Sequence, residues 1–184
     1  MRNFARVGIT LSLIAAVAAT ALAMVNAFTA PKIAAYELQV IKDALVEVSG
    51  GYAVGDQATT DDPLVTNVYP LSGENGDTVG HILQLVGTGY GGEMVVMASY
   101  HADGEVIDAR LLANAETPGL GKKAEVPSYM EKFKGTGGDT AVPVKKDMLG
   151  KADADSVSGS TVTFTGVAKA IAYGSDYVKS LGGK

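Results

Sequence analysis

Nine residues near the C-terminus, "DSVSGSTVT" (155–163), carry five hydroxyl side chains, an acidic residue in front and a glycine in the middle. Behind them, from about Thr165 to Leu181, the apolar residues Val167, Ile171, Val178 and Leu181 recur at helical intervals. The hydroxyls therefore sit where a helix begins, beside first-turn amides that lack intrahelical acceptors and at the positive end of the dipole. Thr163 or Thr165 is placed to cap that turn, and a phosphate would be favoured beside Thr161. Capping a helix and closing a loop would account for the same residues. Local chemistry thus reaches an anion site and names no ligand.

Two other stretches hold glycines where chemistry or a tight turn would need them. In "ETPGLG" (116–121), Pro118 fixes its own backbone and restricts Thr117, while Gly119 and Gly121 permit angles or close approaches that a side chain forbids. The result is a shaped surface loop, which as a bland alternative is a strand-to-helix connection. "GTGYGGE" (87–93) is too glycine-rich for strand interior; Tyr90 could offer an aromatic face there, or the stretch is simply a hairpin turn.

The elements that position these loops are read from periodicity. Strand-like runs cover 64–71, 81–86, 94–101 and 105–112, the last two joined by "HADGEV", where Asp103 and Gly104 suit the positive backbone angles of a tight hairpin. The stretch 52–62 reads as a loop. A short helix is expected over 127–134, with Tyr129, Met130 and Phe133 on one face. Ahead of all this, residues Val7 to Pro31 carry no charge, and about twenty helical residues cross a hydrocarbon layer. "ALA" at 21–23 resembles a signal-peptide cleavage site, but the apolar run continues to Phe28, beyond the usual length of a signal core, which favours a retained anchor. Arg2 and Arg6 before the span, with few basic residues just after it, set the N-terminus in the cytoplasm and the rest outside. Ile33, Leu38, Ile41, Leu45 and Val48 suit a further helix that prolongs or kinks from the span and ends at Gly50 and Gly51. The expected organisation is a cytoplasmic N-terminus and transmembrane helix (1–31), a stalk helix (32–51) and an extracytoplasmic domain (52–184).

Composition narrows the function. With 47% hydrophobic and 19% charged residues the 184-residue chain suits one globular domain plus a small element. A net charge of −5 offers no basic stripe for nucleic acid. The absence of cysteine removes disulfides, thiolate metal sites, iron–sulfur clusters of the chain's own and a cysteine nucleophile. His81 and His101 lie within apparent strands without metal-ligand spacing, so no metal is expected. Neither a Walker-type loop nor a nicotinamide fingerprint occurs.

The order of parts, one N-terminal span, "GYGGEM", a "DG" hairpin, "ETPGLG" and "DSVSGSTVT" before a last helix, resembles the FMN-binding G subunit of the Rnf ion-translocating electron-transport complex. The resemblance covers essentially the whole chain. The related C subunit of the sodium-pumping NADH:quinone oxidoreductase has the same domain but is usually longer. In that family FMN is esterified through its phosphate to the last threonine of an acidic-x-x-Ser-Gly-x-Thr motif. Carried over, Asp155, Ser158, Gly159 and Ser160 are the recognition motif and Thr161 the covalent attachment point. Glu116, Thr117, Gly119 and Leu120 would line the flavin ring, with Tyr90 beside it. Ser160 stands where the family often has alanine, and Phe164 and Thr165 where a serine and a basic residue are more usual. The resemblance implies an α+β fold, an antiparallel sheet flanked by helices. It also implies an electron relay between ferredoxin and NAD, coupled to sodium or proton movement. Partners would be the other membrane and iron–sulfur subunits, with a flavin transferase for maturation. No catalytic residue is expected in this chain. A flavinylated carrier of another membrane or extracellular electron-transfer chain, or a flavin-free anchored binding module, would share much of this pattern.

Overall fold

A computed structural model describes residues 2–182 and divides the chain into two compact units, Met1–Ile41 and Lys42–Lys184. The helix α1 spans Arg2–Val48 with Pro31 inside it. Residues 32–48, read as a stalk, belong to that same helix, which ends where Gly50 and Gly51 take positive φ of 61° and 86°. In the first unit Ile9, Leu13, Val17, Leu22 and Phe28 are exposed. The hydroxyls of Thr10, Thr20 and Thr29 turn back to donate to the carbonyls of Arg6, Ala16 and Val25 at 2.9, 2.8 and 2.9 Å. Such an apolar surface with its threonines satisfied internally suits lipid, and the helix is long and apolar enough to cross a membrane.

The second unit is built on an antiparallel sheet. Its strands are β1 (Ala53–Val54), β2 (Ala58–Thr59), β3 (Val65–Ser72), β4 (Thr78–Thr88), β5 (Glu93–His101) and β6 (Val106–Ala113). The order is β1-β3-β4-β5-β6, with β2 also on β3. β3 to β6 fall on the four strand-like runs of the sequence, β4 extending further at both ends. β1 and β2 correct the reading of 52–62 as loop. At two residues each they are too short to carry a pattern, and they exist because β3 offers its free edge. In the β5–β6 hairpin only Gly104 takes positive φ, 85°. Asp103 does not, contrary to expectation; its carboxylate instead accepts the Glu105 N–H at 3.0 Å and closes the turn.

The helices after α1 are α2 (Pro127–Met130), α3 (Lys151–Ser156) and α4 (Thr161–Gly182). One face of the sheet, with Leu83, Leu85, Val96, Ala98 and Tyr100, shares a core with Phe164, Val167, Ala168, Ile171 and Val178 of α4. Burying each large apolar side chain there stabilises the fold by about 1.5–3 kcal/mol. Leu181, expected on that stripe, is instead 38% exposed. Two glycines let α4 lie against the strands: a Cβ on Gly166 would strike the Thr88 carbonyl, and one on Gly174 the Tyr100 hydroxyl. That hydroxyl donates to the Ile171 carbonyl at 3.0 Å, and burial pushes its pKa well up. Tyr129, Met130 and Phe133 are buried as their spacing predicts, and the Phe133 ring stacks on Phe164 at 5.7 Å.

α4 begins at Thr161, four residues earlier than periodicity indicates. Thr161, Val162 and Thr163 are β-branched and hide a helix from any propensity argument. Phe164, held by Phe133 and the core, draws the first turn into place. α3, which no apolar period announces, takes Asp155 and Ser156 into its last turn.

Candidate functional site

Residues 157–160 turn the chain from α3 into α4. Val157 is buried and anchors the turn, and Gly159 supplies the positive φ, 83°, that the reversal needs. The Ser160 carbonyl accepts the Phe164 N–H at 2.9 Å, which makes Ser160 the N-cap and Thr161 the first helical residue. The Ser160 hydroxyl does not serve as a cap. It turns back and donates to the Val157 carbonyl at 3.3 Å. Among the described residues no side chain accepts from the amides of Thr161, Val162 or Thr163, and the exposed Thr161 hydroxyl has no partner either. Thr163 and Thr165, expected as caps from sequence, lie inside the helix.

The opposite wall is organised by Glu116. Its carboxylate is 4% exposed, accepts the Gly91 N–H on Oε1 at 2.9 Å and the Thr163 hydroxyl on Oε2 at 2.7 Å. One side chain thus joins the β4–β5 turn, the 116–121 loop and the first turn of α4. The fit leaves no room beside it: a Cβ on Gly89 or Gly121 would collide with the carboxylate, and one on Gly91 with the Ala115 carbonyl. Gly119 differs. Its φ is 79°, yet nothing stands within 4 Å of the place a Cβ would take. The two permissions read into this loop are therefore divided, the angle at Gly119 and the close approach at Gly121.

Between the two walls opens a cleft of about 590 Å³ lined by Tyr90, Glu116, Thr117, Leu120, Gly159, Ser160 and Thr161, together with Gly121, Val162 and Thr163. That size is ordinary for a small-molecule site. Tyr90 and Leu120 present apolar surface, being 79% and 47% exposed. Asp155, Ser158 and Gly119 do not line it. The Asp155 carbonyl accepts the Ser158 N–H at 3.2 Å. The Ser158 hydroxyl donates to the Ala154 carbonyl at 3.1 Å and accepts from Lys146 Nζ at 2.6 Å, so both act on the shape of the turn and on a lysine beyond it. Gly121, read from sequence only as a permissive loop glycine and not as lining a site, is part of the cleft wall; sequence reasoning missed the tie from Thr163 to Glu116, for which there was no signal. It also missed Tyr129, whose buried hydroxyl has no hydrogen-bond partner among the described residues. Burial pushes that phenol up to about 12, the nearby Ser160 hydroxyl opposing and the Glu116 carboxylate adding to the rise. No group of three metal-ligating side chains occurs among the described residues.

Residues 89–175, which begin at the glycine turn and run through most of α4, match the FMN-binding domain family, and residues 1–48 match the RnfG N-terminal region. The G subunit of an ion-translocating oxidoreductase complex from Cereibacter sphaeroides is 30% identical over 169 residues, covering 85% of this chain and 75% of that one. The chain belongs to the RnfG family, the G subunits of ion-translocating oxidoreductase complexes. Another member, the G subunit of the proton-translocating ferredoxin:NAD(+) oxidoreductase complex of Clostridium ljungdahlii, is 32% identical over 94 residues. That match spans 51% of this chain and 50% of the Clostridium protein. Among solved structures, the crystal structure of Shewanella oneidensis NqrC shares the fold with a TM-score of 0.50 at 19% identity, covering 67% of this chain and 69% of its own. In this RnfG family member the cleft between the two motif loops lies wholly within the FMN-binding domain.

Proposed function

We propose that this RnfG family member holds FMN as a phosphoester on Thr161, with the flavin ring in the cleft of Tyr90, Glu116 and Leu120. In this role it relays electrons within a membrane-bound, ion-translocating ferredoxin:NAD oxidoreductase complex. The observation that carries the reading is the first turn of α4, where unmet amides surround a free threonine hydroxyl at the rim of a cleft of flavin size. Bound FMN supplies one- and two-electron exchange. The chain's residues do the rest. The amides of 161–163 and the helix dipole receive the phosphate's negative charge. Gly159 and the Ser160 backbone shape the turn, Asp155 and Ser158 fix it from the α3 side, and Gly119 sets the angle of the facing loop. Thr117, Leu120 and Tyr90 bound the ring's place. A covalent bond keeps the cofactor on a domain outside the cytoplasm, where free flavin does not replenish it.

The remaining assignments follow this reading. Residues 1–31 are the cytoplasmic N-terminus and membrane span, 32–51 the stalk, and 52–184 the extracytoplasmic FMN domain, with Arg2 and Arg6 holding the N-terminus inside. Iron–sulfur clusters, NAD and ferredoxin bind on other subunits in this reading, the chain having no cysteine for a cluster, no Walker-type loop and no nicotinamide fingerprint, and a flavin transferase installs the FMN. The test is intact mass after expression with a flavin transferase: wild type exceeds its sequence mass by FMN less one water. Thr161→Ala loses the increment and keeps its fold, because the change removes a hydroxyl and a methyl from an exposed side chain and no core volume. An increment that persists in Thr161→Ala, or moves to Ser158 or Ser160, overturns the assignment.

A further inference from the structure

The first turn of α4 has a second side. Thr161, Thr165 and Lys169 recur every four residues and so share one face of the helix. All three line another cleft, about 650 Å³, whose walls include Leu64, Val86, Ala170 and Tyr173. The end of β4 and the segment leading into β3 form its floor and far side. Tyr173 is pinned there by donating to Asp62 Oδ2 at 2.6 Å. Lys169 is exposed and makes no ion pair or hydrogen bond among the described residues. Helical side chains lean toward the N-terminus, so its ammonium is carried in the direction of Thr161. Thr161 lines both clefts and therefore stands on the ridge between them.

We propose that the cleft of Lys169 and Tyr173 is a second seat for the flavin ring tethered at Thr161, favoured when the ring holds negative charge. The proposal rests on the reading that Thr161 carries FMN. The two seats are of similar size and differ in charge: a buried carboxylate, Glu116, borders one, while an unpaired ammonium, Lys169, lines the other, where the nearest carboxylate, Asp62, lies behind the Tyr173 hydroxyl that it accepts from. A flavin that has taken up two electrons and one proton carries one negative charge, which Glu116 repels and Lys169 attracts. Each seat also holds one tyrosine at its rim, Tyr90 at 79% and Tyr173 at 37% exposure, able to lie against an aromatic ring. Because the phosphate is fixed at the ridge, exchange between seats costs little further entropy and needs only rotation about the flexible ribityl chain.

The experiment uses the full-length flavinylated chain in detergent, with dithionite as electron donor for redox titration. Lys169→Gln is expected to shift the flavin midpoint to lower potential, because the reduced ring loses a cation, and Lys169→Arg to restore it. Time-resolved flavin fluorescence of the oxidised, uncharged ring, which samples the second seat as the minor one, is expected to show a major and a minor quenched component, since tyrosine quenches flavin on contact and phenylalanine does not. Tyr90→Phe abolishes one and Tyr173→Phe the other. A wild-type midpoint in Lys169→Gln, together with unchanged lifetimes in Tyr173→Phe while intact mass confirms FMN on Thr161, overturns the second seat and leaves the attachment standing. A mass with no flavin on Thr161 overturns both.

Discussion

Thr161 and Thr163 stand two residues apart in one helical turn and are put to opposite uses. Thr163 is buried and its hydroxyl is committed to Glu116 at 2.7 Å; Thr161 is exposed and its hydroxyl is uncommitted. The pair shows that a hydroxyl-rich stretch is not one site. One threonine points toward the loop 116–121 and closes the structure, while the other points outward and stays free for chemistry. The same division holds between the two motif loops. The 116–121 loop is fixed by contacts around a buried carboxylate, whereas 157–161 is shaped by backbone turns and leaves its polar groups open. Damage to the first is expected to appear as lost structure, and damage to the second as lost flavin.

The largest structural effect is expected at Gly121. A valine there must displace Glu116 Cβ and Thr163 Oγ1, each 2.7 Å from the new Cβ. Glu116 can yield only by giving up the hydrogen bonds that its carboxylate accepts from Gly91 and Thr163, so a loss of about 2 kcal/mol or more is expected on urea denaturation. Gly119→Val meets no atom and suffers only the cost of left-handed backbone, about 1–2 kcal/mol. Equal losses in the two variants would show that the division between angle and approach is wrong.

Next in size are two replacements of Glu116. Alanine leaves the buried Thr163 hydroxyl without its acceptor, at about 1–3 kcal/mol, and releases the Gly91 N–H, which solvent can reach. Glutamine keeps an acceptor for Gly91 and a donor that the Thr163 hydroxyl can accept, so stability is nearly retained while the charge is gone. In the flavinylated chain Glu116→Gln is expected to raise the midpoint potential, since a carboxylate beside the ring disfavours the negative reduced form. A midpoint equal to wild type by spectroelectrochemistry would confine Glu116 to the structural role that distinguishes Thr163 from Thr161.

Much of this architecture is legible in the sequence. Strands β3 to β6 are runs of eight or more residues rich in apolar and β-branched side chains, long enough to be seen, and Val167, Ile171 and Val178 mark the buried stripe of α4. The family motifs locate the residues of both walls of the cleft. What stays hidden depends on partners distant in sequence. The early start of α4 rests on Phe133 against Phe164, β1 and β2 exist only as additions to β3, and Thr163 is silent because its acceptor lies 47 residues away. Gly119 and Gly121 read alike from sequence, and which of them serves the angle and which the close approach shows only once a carboxylate is found packed against Gly121.

The smallest effect at neutral pH is expected at Tyr129, which separates burial from bonding in the same wall. Its hydroxyl is buried with no hydrogen-bond partner among the described residues, so Tyr129→Phe removes an unsatisfied group and should leave stability unchanged or slightly higher. The difference emerges in alkali. The native phenol ionises near 12 against an ordinary value of 10.0, so between those values the unfolded chain has released a proton that the folded chain still holds. Stability from this group is intact below pH 10, falls as pH rises toward 12, and amounts over that window to a loss on the order of 2 kcal/mol. Tyr129→Phe lacks that component and should unfold less steeply with rising pH, although Tyr100 and Tyr69, whose phenols burial also pushes up, keep theirs. Parallel alkaline unfolding profiles for the two proteins would mean that the Tyr129 hydroxyl finds a partner or solvent in solution, and that the wall behind Ser160 is less closed than its burial indicates.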